Sequence, residues 1–334
     1  MNTLNIQHLP YPEGWFCVGT SESIAAGQLK VVRFFGSDVI VYRTVGGRAC
    51  VADAYCPHMG AHFAYGGSVE GESLRCPFHG FEFSPEGECT RTGYNTTPPR
   101  DARLPQREVC ERLGFIFAWY SPTGRSSQWQ IPDGSDGRWL PNLTQSFTLR
   151  AHPQETTENS VDIGHLSVIH GYKDVGALSP LTTTGPHLHA RYYMHRDAGF
   201  LGKAGELLRV EFEINAWGFG FSHVDAHVIG LGIHTNHFIF VTPQDEHTST
   251  LTIGLRMEPL ANPAQVHPAL SLLPRAVVNE IIRRSTFAGF ASDVKQDFDI
   301  WQNKVYVHPP RLATGDGPVM RYRQWARQFY PTAA

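Results

Sequence analysis

The chain has 334 residues, 41% of them hydrophobic and 18% charged, with a formal net charge of −3. That composition is globular and the length allows two separate cores, while the charge excludes a general attraction to nucleic acid or anionic membrane surfaces. No stretch approaches the roughly 18 apolar residues of a membrane span. The polar run from Met1 to Pro10 lacks the layout of an export signal, so a soluble cytoplasmic protein is expected.

From Trp15 to Tyr120 the chain reads as short strands cut by Gly, Pro and Asp turns, with strands predicted at 29–35, 38–44, 49–54 and 115–119. This pattern predicts a small all-β domain. Residues 121–141 are rich in Ser, Gly, Pro and Asp. The boundaries are accordingly drawn at 1–125 for the first domain, 126–141 for a linker and 142–334 for the second domain. There a strand at 145–152 precedes a helical segment at 154–170. Long strands follow at 187–195, 206–216, 218–228, 231–242 and 248–258, and a helix closes the region at about 274–304, with Pro274 in its first turn. Val277, Ile281, Ile282, Phe290, Val294, Phe298 and Trp301 recur near helical spacing. A mixed α and β domain, a sheet with helices on one side, is predicted. No internal repeat is visible.

The six cysteines are Cys17, Cys50, Cys56, Cys76, Cys89 and Cys110. Without an export signal they are expected to be reduced. Two of them stand in patterned company: Cys56-Pro-His58, seventeen intervening residues, then Cys76-Pro-Phe-His79. Each half offers one thiolate and one imidazole from a tight loop. Two such loops facing each other can hold a two-iron, two-sulfur cluster, both Cys on one iron and both His on the other. The alternative is a structural zinc site, but zinc pairs are usually Cys-Cys and His-His rather than Cys-His twice.

A second constellation runs from Glu158 through Asn159, Asp162 and His165 to His170. Two imidazoles and one carboxylate on one side of a non-heme iron leave positions open for O₂ and substrate. In an ideal helix a five-residue step turns about 140°, so His165 and His170 would need a local widening to face one metal. Asp162, Asp293, Asp297 and Asp299 all compete as the carboxylate, and spacing does not choose among them.

Together the two motifs resemble the Rieske non-heme iron oxygenases over nearly the whole chain. The likeness is strongest to the branch of 3-ketosteroid 9α-hydroxylase oxygenases and cholesterol 7-desaturases. It is carried by the run from Leu29 to Arg43, by Gln296 to Lys304, by Gly315-Asp-Gly-Pro-Val319 and by Trp325 to Tyr330. The resemblance implies an α+β chain, with an N-terminal all-β Rieske domain followed by a helix-grip (START-like) catalytic domain with a central antiparallel sheet, assembled as a homotrimer. It also implies one [2Fe-2S] cluster per chain on Cys56, His58, Cys76 and His79, and one Fe(II) per chain on His165, His170 and Asp297. Asp162 would link an iron-ligating His to His79 of a neighbouring subunit, and Asn159 would lie close to the iron.

There are departures from the family pattern. Phe81 stands where many members have Trp. The extra cysteines of respiratory Rieske proteins are replaced by Ala61 and Phe78, which implies a low-potential cluster feeding a catalyst. The membrane anchor of animal 7-desaturases is not visible, which favours a bacterial-type soluble enzyme. The expected function is that of a terminal oxygenase component, with O₂ as co-substrate and electrons from a ferredoxin or a ferredoxin–NAD(P)H reductase. It would hydroxylate or desaturate a small hydrophobic polycyclic substrate, a steroid or sterol, or alternatively an aromatic or natural-product scaffold. The rivals are a Rieske electron-transfer protein without oxygenase activity and a lipid-binding module. Tyr192, Trp217, Phe219, Phe221, Phe238 and Phe240 are the aromatic candidates for a substrate wall, with strand alternation sending about half to the other face.

Overall fold

A computed structural model describes residues 2–4, 9–134, 137–197 and 207–331. The chain divides into two compact units. One is built on Tyr11–Gly134 with Thr242–Glu246, the other on Ser135–Val241 and His247–Thr332 together with the strand β1, Asn2–Leu4.

In the first unit, β2 (Gly14–Thr20), β3 (Leu29–Phe34), β4 (Ser37–Arg43) and β5 (Ala49–Asp53) come first. The short strands β6 (Ser68–Glu70), β7 (Ser73–Arg75), β8 (Glu82–Phe83) and β9 (Cys89–Arg91) follow, and β10 (Gln106–Arg107), β11 (Val109–Arg112) and β12 (Phe115–Tyr120) complete it. They form three small antiparallel sheets, ordered β10-β5-β4-β3, β11-β12-β2 and β6-β7-β8-β9. The β3–β4 and β11–β12 hairpins are closed by Phe35-Gly36 and Leu113-Gly114, with both residues of each pair at positive φ. Two such residues match the right-handed twist of the flanking strands. Phe35 adopts this conformation while its ring stacks on Tyr120 at 3.6 Å. The all-β expectation holds here, and the strands at 68–70, 73–75, 82–83 and 89–91 are additions too short for a periodic signal.

The second unit centres on a seven-stranded antiparallel sheet. Its strands are β13 (Leu143–Leu149), β14 (Lys173–Thr184), β15 (His187–Asp197), β16 (Leu207–Trp217), β17 (Phe221–Val228), β18 (Ile233–Pro243) and β19 (Ser249–Met257), in the order β13-β19-β18-β17-β16-β15-β14. The helices are α1 (Pro153–Glu158), α2 (Gly164–Val168), α3 (Arg275–Gln296), α4 (Phe298–Asn303) and α5 (Val319–Ala326); a last strand, β20 (Tyr306–His308), pairs with β1. Helix α3 lies on the sheet, its Ile282, Ala291 and Val294 joining Leu251, Ile253 and Leu255 in the core. Val277 and Ile281, expected on the buried face, are exposed, and Val278 is buried instead. No described helix is long and apolar enough to cross a membrane.

Two expectations are corrected. The helix predicted at 154–170 is two short helices separated by turns, and that predicted at 274–304 breaks at Asp297, which ends α3 and begins α4. Strand β14 gave no sequence signal, because its run mixes small, polar and apolar residues with three register shifts.

Candidate metal centres

In the first unit, the loop after β5 and the turn between β7 and β8 have the same build. Cys56 N–H donates to Ala61 and Gly60 N–H to Cys56; likewise Cys76 N–H donates to Phe81 and Gly80 N–H to Cys76, all between 2.8 and 3.1 Å. Both thiols are almost fully buried, at 2% and 3% exposure, and lie within hydrogen-bonding reach of each other. The imidazoles of His58 and His79 stand beside each other at the loop tips, ring centres 4.9 Å apart. Phe81 is buried and lies flat on His58 at 4.1 Å, so it keeps an aromatic plane where the family usually has Trp. The Nδ1 atom of His79 is buried with no hydrogen-bond partner among the described residues, as a nitrogen reserved for a metal would be. Two adjacent thiols and two adjacent imidazoles fit a [2Fe-2S] cluster of mixed ligation.

In the second unit, α1 begins at Pro153, with the His152 ring accepting the Gln154 N–H as its cap. All six residues of α1 are buried. Its two carboxylates are matched: Arg323 of α5 forks onto Glu158 at 2.7 and 2.8 Å, and Lys304 reaches Glu155 at 2.6 Å. The chain then turns through residues 159–163, where a Cβ on Gly317 would meet the Val161 carbonyl at 2.2 Å; this loop of the C-terminal segment packs tightly on the turn.

His165 sits in the first turn of α2, whereas His170 lies past its end, where Gly171 at φ +68° turns the chain away. This exit resolves the five-residue spacing: the second imidazole leaves the helix, and no widened turn is needed. Among the described residues, Asp297 is the aspartate whose carboxylate lies within 4.8 Å of nitrogens from both rings. Its Oδ2 is 3.6 Å from His170 Nε2. The other candidates are engaged elsewhere. Asp293 accepts from the Tyr172 hydroxyl, Asp299 is exposed, and the Asp162 carboxylate accepts the His165 backbone N–H at 3.4 Å.

Each Nδ1 has its own oxygen partner. His165 Nδ1 pairs with the main-chain carbonyl of Asp162, and His170 Nδ1 with Gln296 Oε1 at 3.0 Å. Such partners fix the tautomer and aim Nε2 at the metal. Asn159 hydrogen-bonds Asp297. Burial pushes the Asp297 carboxyl up and the His165 imidazole down from their ordinary values. A His₂-carboxylate set on one side, with a cavity on the other, fits a non-heme Fe(II).

The cavity is about 220 Å³ and opens on all three side chains. Its floor is the sheet face toward α3, where the in-register row Tyr192, Phe212, Ala226 and Thr235 runs beside Ile214, Val224 and His237. Of the six aromatic candidates only Tyr192 lines it. Phe219 packs on Tyr322, Trp325 and Phe329, and Phe221, Phe238 and Phe240 are buried outside the cavity. Alternation fixes two faces, but sequence does not say which one meets the helix. His237, Thr235 and Arg196 were missed, since isolated polar residues in strands carry no pattern; the parts played by Tyr172, in the loop before β14, and Gln296, at the end of α3, depend on contacts distant in sequence.

Sequence comparison then adds to this geometry. Residues 118–330 match the model for the 3-ketosteroid 9alpha-hydroxylase C-terminal domain, and residues 14–104 match that for the Rieske [2Fe-2S] domain. A cholesterol 7-desaturase of Xenopus laevis is 29% identical, covering 96% of this chain and 72% of the relative. The oxygenase component of 3-ketosteroid-9-alpha-monooxygenase from Rhodococcus rhodochrous is 26% identical, covering 96% and 84%. A crystal structure of dicamba monooxygenase bound to dicamba shares the fold, with a TM-score of 0.67 at 16% identity over 95% and 96% of the two chains.

The combination of a Rieske domain and this catalytic domain defines an oxygenase with a [2Fe-2S] cluster, a non-heme iron and O₂ as co-substrate. The chain belongs to the 3-ketosteroid 9α-hydroxylase family of Rieske oxygenases.

Proposed function

We propose that the chain is the terminal oxygenase component that hydroxylates or desaturates a steroid or sterol. Cys56, His58, Cys76 and His79 would hold the cluster, and His165, His170 and Asp297 the iron. When bound, these groups supply single electrons and the activation of O₂. The chain's own residues do the rest: they aim the ligand nitrogens, exclude water and hold a flat apolar substrate over the iron position. The observation that carries the reading is the apolar cavity opening on the His165–His170–Asp297 set, in a chain whose relatives include a 3-ketosteroid monooxygenase and a cholesterol 7-desaturase.

One polar pair interrupts the cavity floor. His237 Nε2 meets Thr235 Oγ1 at 2.9 Å, and its ring packs edge-on against Phe290 at 4.5 Å. Burial, aided by the charge of Arg196, pushes the imidazole down to about 4, so it is neutral. Its Nδ1 has no partner among the described residues. A neutral ring backed by a hydroxyl suits one oxygen substituent on an otherwise hydrocarbon ligand.

Electrons would come from a ferredoxin or its NAD(P)H-dependent reductase, since the chain shows no nucleotide motif. We further read the active form as a homotrimer in which Asp162 connects the iron of one subunit with His79 of the next. Exposed Met59, Phe78 and Tyr94 around the imidazoles support a protein-docking face there. The working boundaries are 1–125 for the cluster domain, 126–141 for the linker and 142–334 for the catalytic domain; the compact units divide at Gly134, within that linker, while the strand Asn2–Leu4 and residues 242–246 each fall in the opposite unit.

The test is substrate-dependent O₂ uptake with a surrogate reductase across sterols, 3-ketosteroids and polycyclic aromatics, with iron counted per chain. Turnover restricted to steroids supports the reading. Turnover of aromatics alone would move the substrate class, and iron confined to the cluster would reduce the protein to an electron carrier.

A further inference from the structure

His170 lies past the end of α2, and the chain after it is jointed at Gly171. That glycine takes positive φ, and no described atom lies within 4 Å of where its Cβ would stand, so packing does not fix the joint. Tyr172 follows, its N–H on the Leu166 carbonyl at 3.1 Å, and β14 begins at Lys173. Two side-chain contacts tie this segment to α3. His170 Nδ1 meets Gln296 Oε1 at 3.0 Å, and the Tyr172 hydroxyl donates to Asp293 Oδ2. Asp293 and Gln296 are three apart and share one face of α3, so the two contacts stand in register on either side of Gly171.

Arg196 of β15 completes the group. Its Nη1 is 3.9 Å from the same Asp293 oxygen, and its guanidinium is 5.7 Å from the centre of the Tyr172 ring. Its Nη2 lies 3.7 Å from where a Cβ would stand on Gly289, one turn earlier on α3. Tyr172, Arg196 and Asp293 all line the cavity beside His170 and Asp297. The Tyr172 and His170 rings are 5.6 Å apart, so a tyrosine fixed at its hydroxyl limits where the imidazole can turn. As a source of stability the set is poor, since desolvation of a half-buried ion pair offsets much of its attraction. As a device for direction it is effective. The one acceptor of the Tyr172 hydroxyl among the described residues is on the helix that ends at Asp297.

We propose that Asp293 is a positioning residue of the iron site. It acts through Tyr172 on the direction of His170, and Arg196 supplies the counter-charge that lets a carboxylate stand at an apolar cavity wall. Asp293 thus serves the centre without being a ligand: it sets an imidazole that Asp297, one turn on, faces. The proposal rests on His165, His170 and Asp297 as the ligand set.

The experiment is iron retention by the holoenzyme against a graded chelator. The Rieske signal is the control, and the paramagnetic-resonance spectrum of the nitric oxide adduct reads the geometry of the mononuclear site. Tyr172→Phe keeps the ring and removes the hydrogen bond. It should lower iron affinity about tenfold, in the range for loss of an outer partner, and broaden the nitric oxide spectrum. Asp293→Leu should do the same, whereas Asp293→Asn, which keeps an acceptor for the hydroxyl, should retain the wild-type spectrum. Tyr172→Phe/Asp293→Leu should be no worse than the worse single variant, since both remove one contact. Wild-type affinity and spectrum in Tyr172→Phe, additive losses in the double variant, or an Asp293→Asn as damaged as Asp293→Leu would each overturn the proposal. A wild-type chain holding iron only in its cluster would overturn the ligand set and this proposal together.

Discussion

Gln296 Oε1 accepts the His170 Nδ1 hydrogen at 3.0 Å, so the residue immediately before Asp297 orients one of the imidazoles that Asp297 faces. Helix α3 thereby delivers a carboxylate and the orienting group of a histidine together, at the point where it breaks.

Gln296→Leu is expected to free the His170 ring and lower iron affinity about 10–100-fold. Competition with an iron chelator measures this. The Rieske paramagnetic-resonance signal should be untouched. Full iron retention in the variant would show that the hydrogen bond does not orient the ring.

The His165 ring is held by the main-chain carbonyl of Asp162, which a side-chain change leaves in place. Asp162→Asn is therefore expected to keep both iron centres. It should slow oxidation of the reduced cluster by O₂ with substrate present, about 10–100-fold if its charge orders the path between centres. Stopped-flow single turnover reads this step; wild-type rates, or loss of the mononuclear iron, would remove Asp162 from the path.

His237→Leu keeps bulk but removes the polar pair's free nitrogen. Loss of one such hydrogen bond is worth about 1 kcal/mol, or several-fold in affinity. The variant should raise KM several-fold for an oxygen-bearing steroid. For its deoxygenated analogue KM should stay unchanged, and an equal rise for both would mean His237 only packs.

The buried cap His152 has its imidazole pushed down to about 4 by desolvation. A folded value below the unfolded one, near 6.5, means that the unfolded chain takes up the proton first. Its contribution is thus constant above pH 6.5 and lost as pH falls from there toward 4. The same holds for His223, which burial also pushes down to about 4. Thermal unfolding should show Tm falling through this window, and His152→Asn should make the fall shallower. An unchanged slope would indicate that His152 is not a neutral cap.

What the sequence disclosed follows from chemistry concentrated in short runs. The Cys56–His58 and Cys76–His79 pairs are local, and the loops that carry them are set by Pro and Gly within the same few residues. His165 and His170 were equally visible, but their geometry was not. The exit of the chain from α2 rests on Gly171 at positive φ, and the turn at 159–163 packs on Gly317, more than 150 residues away. Asp297 was distinguishable from Asp293 and Asp299 only by family likeness. The three lie on one helical run, and which of them meets the histidines is decided by where α3 breaks. The cavity wall was the least legible part. Phe238 and His237 are neighbours on β18, and a shift of one residue exchanges an aromatic for the polar pair.

His170 and Asp297 are separated by most of the catalytic unit's sheet in the order of synthesis, with β14 to β19 and the whole of α3 lying between them. On the proposed ligand set, a growing chain cannot capture the catalytic iron until α3 has emerged and docked. Metal bound at this site closes a long loop of chain, so it adds to the stability of the finished fold and gives nothing to a partly made one. Iron occupancy in a purified sample is then a gauge of completed folding. A variant whose architecture has failed far from any ligand also arrives iron-poor, and the cluster, assembled from a separate and earlier stretch, is the internal standard that distinguishes the two cases.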